Sequence, residues 1–339
     1  MKNNNLDFLD LVKFILSIMI VAIHSSIFPF VLYPWLRIAV PLFFIISSYF
    51  FFCKMNKCDI ENKKIFLKKY IIRLLKYYLF WFIFLFPAFL IIRSNWFASE
   101  SNIILLLIRQ LFFGSTFSAS WFIMATIWAT VIIYFLSEKI DNKVMFLLFF
   151  VSYLFCVIVS SYIELFDGTI FESFYKVYIK FFSFPYLSFP IALIWILIGK
   201  IFAENKNGDI TLSENIVLIL LYSVCLFLEW RIVYNLNGSY NNDCYLFLLP
   251  LCYYIFSFIK NIKINLKNAK RFRLISTSTY PFHATFVIIF YDFFSSYIAN
   301  VNLLNILRFI IAILISILFS LFVEKFENNK YLKFLKYSH

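Results

Sequence analysis

Charge is what this sequence has least of: Asp, Glu, Lys and Arg together make up 14% of 339 residues, against 63% hydrophobic. A soluble domain carries about 25% charged residues, so water is not the main solvent of this chain. Glycine is scarce too, with five residues, and none stands in a Walker loop or a dinucleotide fingerprint. That argues against ATP hydrolysis. Histidine occurs three times with no HExxH, and no carboxylate cluster suits two metals, so no metal site is expected. The six cysteines (Cys53, Cys58, Cys156, Cys225, Cys244, Cys252) lie within or beside apolar segments. Cys53 and Cys58 have no nearby partners for zinc, and all six are read as packing residues. No cleavable signal pattern, transporter-type internal repeat or separate soluble domain is read in the sequence, so one membrane domain over 1–339 is expected.

What is present is aromatic and aliphatic. Aromatic residues reach 23%, with 48 phenylalanines, and several apolar runs of about 18 residues or more are long enough to cross the hydrocarbon core as helices. A β-barrel would show short alternating segments instead. Hydropathy predicts an all-α polytopic bundle of about ten helices, near 9–29, 35–53, 71–92, 120–137, 144–162, 182–203, 215–235, 244–260, 274–298 and 303–323. The run from Asn102 to Phe113, broken by Arg109, is short for a span and suits an interfacial or re-entrant helix.

The net charge of +13 is distributed by topology. Basic residues fall between apolar segments rather than on one soluble face, so nucleic acid is not an expected partner. With the N-terminus inside, 24 of the 31 Lys and Arg residues fall on the inner face, including Lys54, Lys57, Lys63, Lys64, Lys68, Lys69, Arg73 and Lys76. Arg37, Arg93, Arg109, Lys176, Lys180, Arg231 and Arg308 remain. Cytoplasmic loops retain positive charge, so both termini are expected in the cytoplasm, with 324–339 a basic amphipathic tail anchored on anionic lipid.

Ionisable groups inside spans are costly and mark candidate function. His24, late in the first helix, is either bonded to a neighbouring helix or a general acid/base, since imidazole titrates near neutrality. Lys13 lies 11 residues earlier, about 16 Å toward the cytoplasm at 1.5 Å per residue. It either snorkels or meets an anionic cytoplasmic ligand, with Arg73 as a second cation. Toward the outer ends stand Arg37, Trp121, Glu229, Arg231 and Asp243. Glu229, in VCLFLEWRIVY, needs a partner, and His24 or Arg37 is expected to supply it, a His/Glu pair orienting the ring. His283, in STYPFHATF, needs one as well if buried.

Several segments resemble the acyltransferase 3 family of integral membrane acyltransferases. KFILSIMIVAIH (Lys13 to His24) matches its basic residue, ten positions and histidine. VPLFFIISSYFF (Val40 to Phe51) is similar to its FFxxSGYF segment, SWFIMATIW (Ser120 to Trp128) to its fourth helix, and STYPFH (Ser278 to His283) to its YxxH segment. Glu229 and the loop after it look like a feature of some branches, including the membrane half of the serine racemases of vancomycin resistance. Two positions depart from the pattern: Lys13 replaces the usual arginine, and Ser48 a glycine, which is expected to restrict helix approach. The resemblance implies transfer of an acyl group, commonly acetyl, from cytoplasmic acyl-CoA to a hydroxyl of an envelope polysaccharide or lipid-linked sugar in a bacterial plasma membrane. It implies His24 and Glu229 as catalytic, Lys13 and Arg73 as acyl-CoA-binding, and Arg37, Trp121, Tyr280 and His283 as an acceptor or structural pocket. A small-solute, amino-acid-like transporter and a non-catalytic relative remain the alternatives.

Overall fold

The computed structural model describes residues 4–92, 103–114, 120–204, 211–262, 264–330 and 332–339; Lys2, Arg93, Lys206 and Lys263 lie outside them. Among the described residues every regular element is helical. In chain order these are α1 (Asn4–Ser25), α2 (Tyr33–Leu36), α3 (Ala39–Met55), α4 (Ile60–Ile92), α5 (Ile103–Phe112), α6 (Trp121–Leu136) and α7 (Asn142–Val157). They continue as α8 (Ile170–Phe182), α9 (Phe189–Glu204), α10 (Leu212–Asn237), α11 (Leu248–Lys260), α12 (Ala269–Phe294) and α13 (Val301–Phe326).

Every one of the ten expected spans is a helix. Seven helical stretches are long and apolar enough to cross a membrane, and α6 and α11 are apolar but shorter. The tenth, α12, holds Arg271, Arg273 and a run of serines and threonines, too polar to face lipid. It is buried instead, with Ser276, Ser278, Thr279, His283 and Thr285 all covered. The Ser276 and Thr279 hydroxyls donate to the carbonyls of Arg273 and Ile275 one turn earlier, which is one way polar residues persist at membrane depth.

The bundle is built around α9, whose residues Pro190 to Lys200 are buried on every side, as expected of a helix apolar all round. It packs against α3, α6 and α7, while α1 packs against α12 and α12 against α13. The α3–α9 crossing is close because of Gly199, where an added Cβ would lie 1.9 Å from Ser48 Oγ and 2.5 Å from the Ile45 carbonyl oxygen. This corrects the expectation that Ser48 restricts approach. Its hydroxyl donates back to the Phe44 carbonyl at 2.8 Å, and the missing glycine stands on the other helix. At the periphery Ile83, Leu220 and Leu318 are exposed, an apolar surface matched to lipid tails.

Several boundaries differ from expectation for local reasons. Helix α1 stops at Ser25 rather than residue 29, because Ser26 turns left-handed (φ 55) and Pro29 follows. Helix α4 begins at Ile60, eleven residues early, since the lysine-rich run is itself a good helix former. Residues 244–247, expected in a span, belong to the loop before α11. An unforeseen amphipathic helix, α8, is capped by Thr169, which accepts from the Glu172 amide, and α5 docks on it through Arg109, whose guanidinium donates to the carbonyls of Ile179 and Lys180. The C-terminal tail, expected as an amphipathic lipid anchor, also packs on the bundle. Residues Lys333–Ser338 form a 3₁₀ turn against α4 and α13, burying Leu335, and the fully buried Trp81 donates its indole N–H to the Ser338 carbonyl at 3.1 Å.

Candidate functional site

Helix α12 packs on both α1 and α4, and the first turns of α1 and α12 come together at one end of the bundle. There Lys13 is half-buried, its ammonium 5.4 Å from the Phe50 ring centre. Asp10, Arg273 and Arg73 are the charges close enough to act on it. Arg273 pairs with Asp10 at 3.7 Å, while Arg73 is exposed and lies over the Tyr70 ring. The structure thus brings Lys13 and Arg73 into one basic cluster and adds Arg273, which from sequence carried only a topological meaning.

At the opposite end α1 presents His24. The residue is solvent-accessible although Val21, Ala22, Ile23 and Ser25 around it are buried. Two groups of α13 finish this helix end: Asn305 donates to the Ser26 carbonyl and Arg308 to the Ser25 carbonyl, each at 3.0 Å. Last-turn carbonyls have no intrahelical donor and require such partners. Neither residue stood out in the sequence, where Arg308 read as one of a few misplaced charges. His283 of α12 lies beside His24, its ring tilted by 44° and the ring centres 5.0 Å apart. Tyr280 lies 5.9 Å from His283 and packs against Phe43 and Phe122.

Adjacent to Ile23 is a cavity of about 40 Å³ walled by Arg37, Trp121, Tyr186, Trp195 and Asp243. Arg37 is held on three sides, donating to Asp243 Oδ1 at 2.5 Å, to the Asn241 carbonyl at 2.7 Å and to Asn241 Oδ1 at 2.6 Å. Both acceptors sit on the loop between α10 and α11, residues 238–247, which is fastened from below. A π-helical segment, Ile158–Tyr162, continues α7, and such segments re-aim side chains at functional sites. Its Ser160 Oγ accepts from the amides of Asp243 and Cys244 at 3.0 Å each, and Ser161 Oγ donates to the Cys244 carbonyl at 2.5 Å. Trp230 donates to the Tyr240 carbonyl at 3.1 Å.

Glu229 completes this fastening and does not meet His24 or Arg37, the partners expected from sequence. Its Oε1 accepts from the Leu246 amide at 2.5 Å and the Tyr162 hydroxyl at 3.0 Å, and its Oε2 from the Phe247 amide at 2.9 Å. A carboxylate at the two amides just before α11 satisfies buried donors of the loop and sits favourably near the positive end of the helix. The sequence signalled that Glu229 needed partners; it did not signal that they were backbone.

Comparisons with known proteins follow the same lines. An amino-acid racemase of Enterococcus faecalis is 32% identical over 143 residues, which cover 40% of this chain and 20% of that protein. The match therefore spans about one fifth of the racemase's length. No solved structure matches the chain. The model of the acyltransferase domain family matches residues 6–325, from the base of α1 to the end of α13. This multi-pass, all-helical chain, with its basic cluster at one end and its exposed histidine at the other, belongs to that acyltransferase family.

Proposed function

We propose that this membrane acyltransferase takes an acyl group, acetyl, from acyl-CoA at the basic end of the bundle, and passes it to a hydroxyl of an envelope polysaccharide or lipid-linked sugar at the opposite end. The basic end faces the cytoplasm of a bacterium. Lys13, Arg73 and Arg273 meet the phosphates of CoA, where cations gain most from a multiply charged anion. His24 removes the acceptor's hydroxyl proton, the oxygen attacks the thioester carbonyl, the carbon–sulfur bond breaks, and the thiolate leaves with the proton returned to it. A route through an acyl-imidazole on His24 has the same balance and uses the same residue.

The observation that carries this reading is the setting of His24: a solvent-accessible histidine among buried neighbours, at the end of α1 opposite the basic cluster and beside His283. The test is mass spectrometry of surface glycans from cells carrying the wild-type gene, His24→Ala or no gene. Wild-type cells should gain the mass of one acyl group on a glycan, and His24→Ala cells should not, although the variant chain inserts at normal levels. Full acylation by His24→Ala would remove the residue from the chemistry.

A further inference from the structure

A histidine that works as a base needs a second group to hold its other nitrogen, fixing the tautomer and ring direction. A carboxylate usually serves. Here Glu229 is committed to Tyr162, Leu246 and Phe247, and the charges that reach His24 are Arg37 and Arg308. Neither guanidinium can accept an imidazole N–H.

His283 can. It is 1% exposed and its Nδ1 lies 3.2 Å from the Thr279 carbonyl oxygen one turn earlier. A carbonyl only accepts, so the hydrogen is on Nδ1 and Nε2 carries a lone pair. That Nε2 is buried without a hydrogen-bond partner, an uncommon state that asks for a donor. The ring beside it is His24. Its support is rigid: Pro281 has no N–H to give the Thr277 carbonyl, and Tyr77 of α4 takes that carbonyl at 2.7 Å, pinning the proline turn of α12.

We infer that His283 is the positioning residue of His24: its Nε2 accepts the N–H of the nearer His24 nitrogen, leaving the lone pair of the farther nitrogen to face the acceptor hydroxyl. The bond closes by a turn of the His24 ring, the exposed member of the pair. When the hydroxyl proton arrives on the far nitrogen, the imidazolium shares its charge with His283. The same proton then goes to the departing thiolate, so nothing is consumed. The inference rests on His24 being the base.

The chain contains only His24, His283 and His339, so ¹⁵N-histidine labelling of the full chain in lipid nanodiscs, with His339→Gln, leaves two rings to observe. Expected are His283 with its hydrogen on Nδ1, a nitrogen–nitrogen coupling through the hydrogen bond, and displaced His24 resonances in His283→Phe. His283 protonated on Nε2, or His24 resonances unmoved in His283→Phe, overturns the inference. In cells, His283→Phe should lower glycan acylation by about tenfold or more at an unchanged membrane level and unchanged acetyl-CoA binding. His283→Gln, which keeps an acceptor oxygen, should recover part of it. Wild-type acylation in His283→Phe, or no recovery in His283→Gln, also overturns it. If the wild-type chain acylates nothing, the acyl-transfer reading fails by itself, while the nitrogen spectra still decide the pairing.

Discussion

Replacing Glu229 separates a residue that fastens a loop from one that takes part in chemistry. In Glu229→Ala the amides of Leu246 and Phe247 lose their acceptor at 2.5 and 2.9 Å, in a site where the side chain is 4% exposed. A buried donor left unsatisfied costs about 1–3 kcal/mol, so the two together cost about 2–6 kcal/mol; the Tyr162 hydroxyl can rotate to another acceptor. Glu229→Gln keeps one oxygen for Leu246 and Tyr162 but turns an amide NH₂ toward the Phe247 N–H, a loss of about 1–3 kcal/mol. Thermal unfolding in detergent should therefore rank wild type above Gln and Gln above Ala. Because the loop carries Asp243 and Asn241, which hold Arg37, the acceptor KM should rise in the same order. The acetyl-CoA KM should stay at its wild-type value, since the basic cluster lies at the other end. Wild-type unfolding temperatures with turnover abolished equally in both variants would refute the reasoning and return Glu229 to the chemical step.

Two further outcomes test other parts of the account. Gly199→Ala should cost about 1–3 kcal/mol by overpacking, since its Cβ meets Ser48 Oγ at 1.9 Å, the Ile45 oxygen at 2.5 Å and the Tyr49 nitrogen at 2.9 Å. Adding Ser48→Gly should restore only part of the unfolding temperature, because the other two contacts are backbone. Lys13→Ala should weaken acetyl-CoA binding by about tenfold, the value of one charge-assisted hydrogen bond, as read by calorimetric titration. Unchanged affinity would leave Lys13 as a neighbour of Phe50 and Asp10 with no role in donor binding.

Much of the fold was written in hydropathy, because crossing lipid forces long apolar helices and little else does. The exceptions are instructive. The turn at Ser26 depends on a left-handed backbone at a serine, which composition does not announce, and the tail sequence YLKFLKY reads equally well as a lipid anchor or as a segment laid against α4. Helix α8 escaped because half its face is polar. At the candidate site, rarity made His24, His283, Arg37 and Glu229 visible as groups that required partners. Their pairings were not visible, since Arg37 and Asp243 stand 206 residues apart and the partners of Glu229 are amides, which every residue has. Ser160 and Ser161 gave no signal, for serine in an apolar helix ordinarily bonds its own preceding turn.

The two ends of the bundle are not independent, because two helices carry both. Lys13 and His24 lie on α1, and Arg273 and His283 lie on α12, 11 and 10 residues apart respectively, or about 16 and 15 Å at 1.5 Å per residue. These helices run parallel in contact, with Phe14 and Phe272 at 5.4 Å between ring centres near the basic end and the two histidines at 5.0 Å near the other. A slip of one helical turn would move α12 by about 5.4 Å along α1 and break the Asp10–Arg273 pair and the histidine pair together. The α1–α12 register therefore sets both the cationic cluster and the imidazole pair. The distance from Lys13 to His24, and from Arg273 to His283, is a fixed helical length rather than a loop conformation. A change in α12 that shifted its register on α1 would therefore move both ends at once.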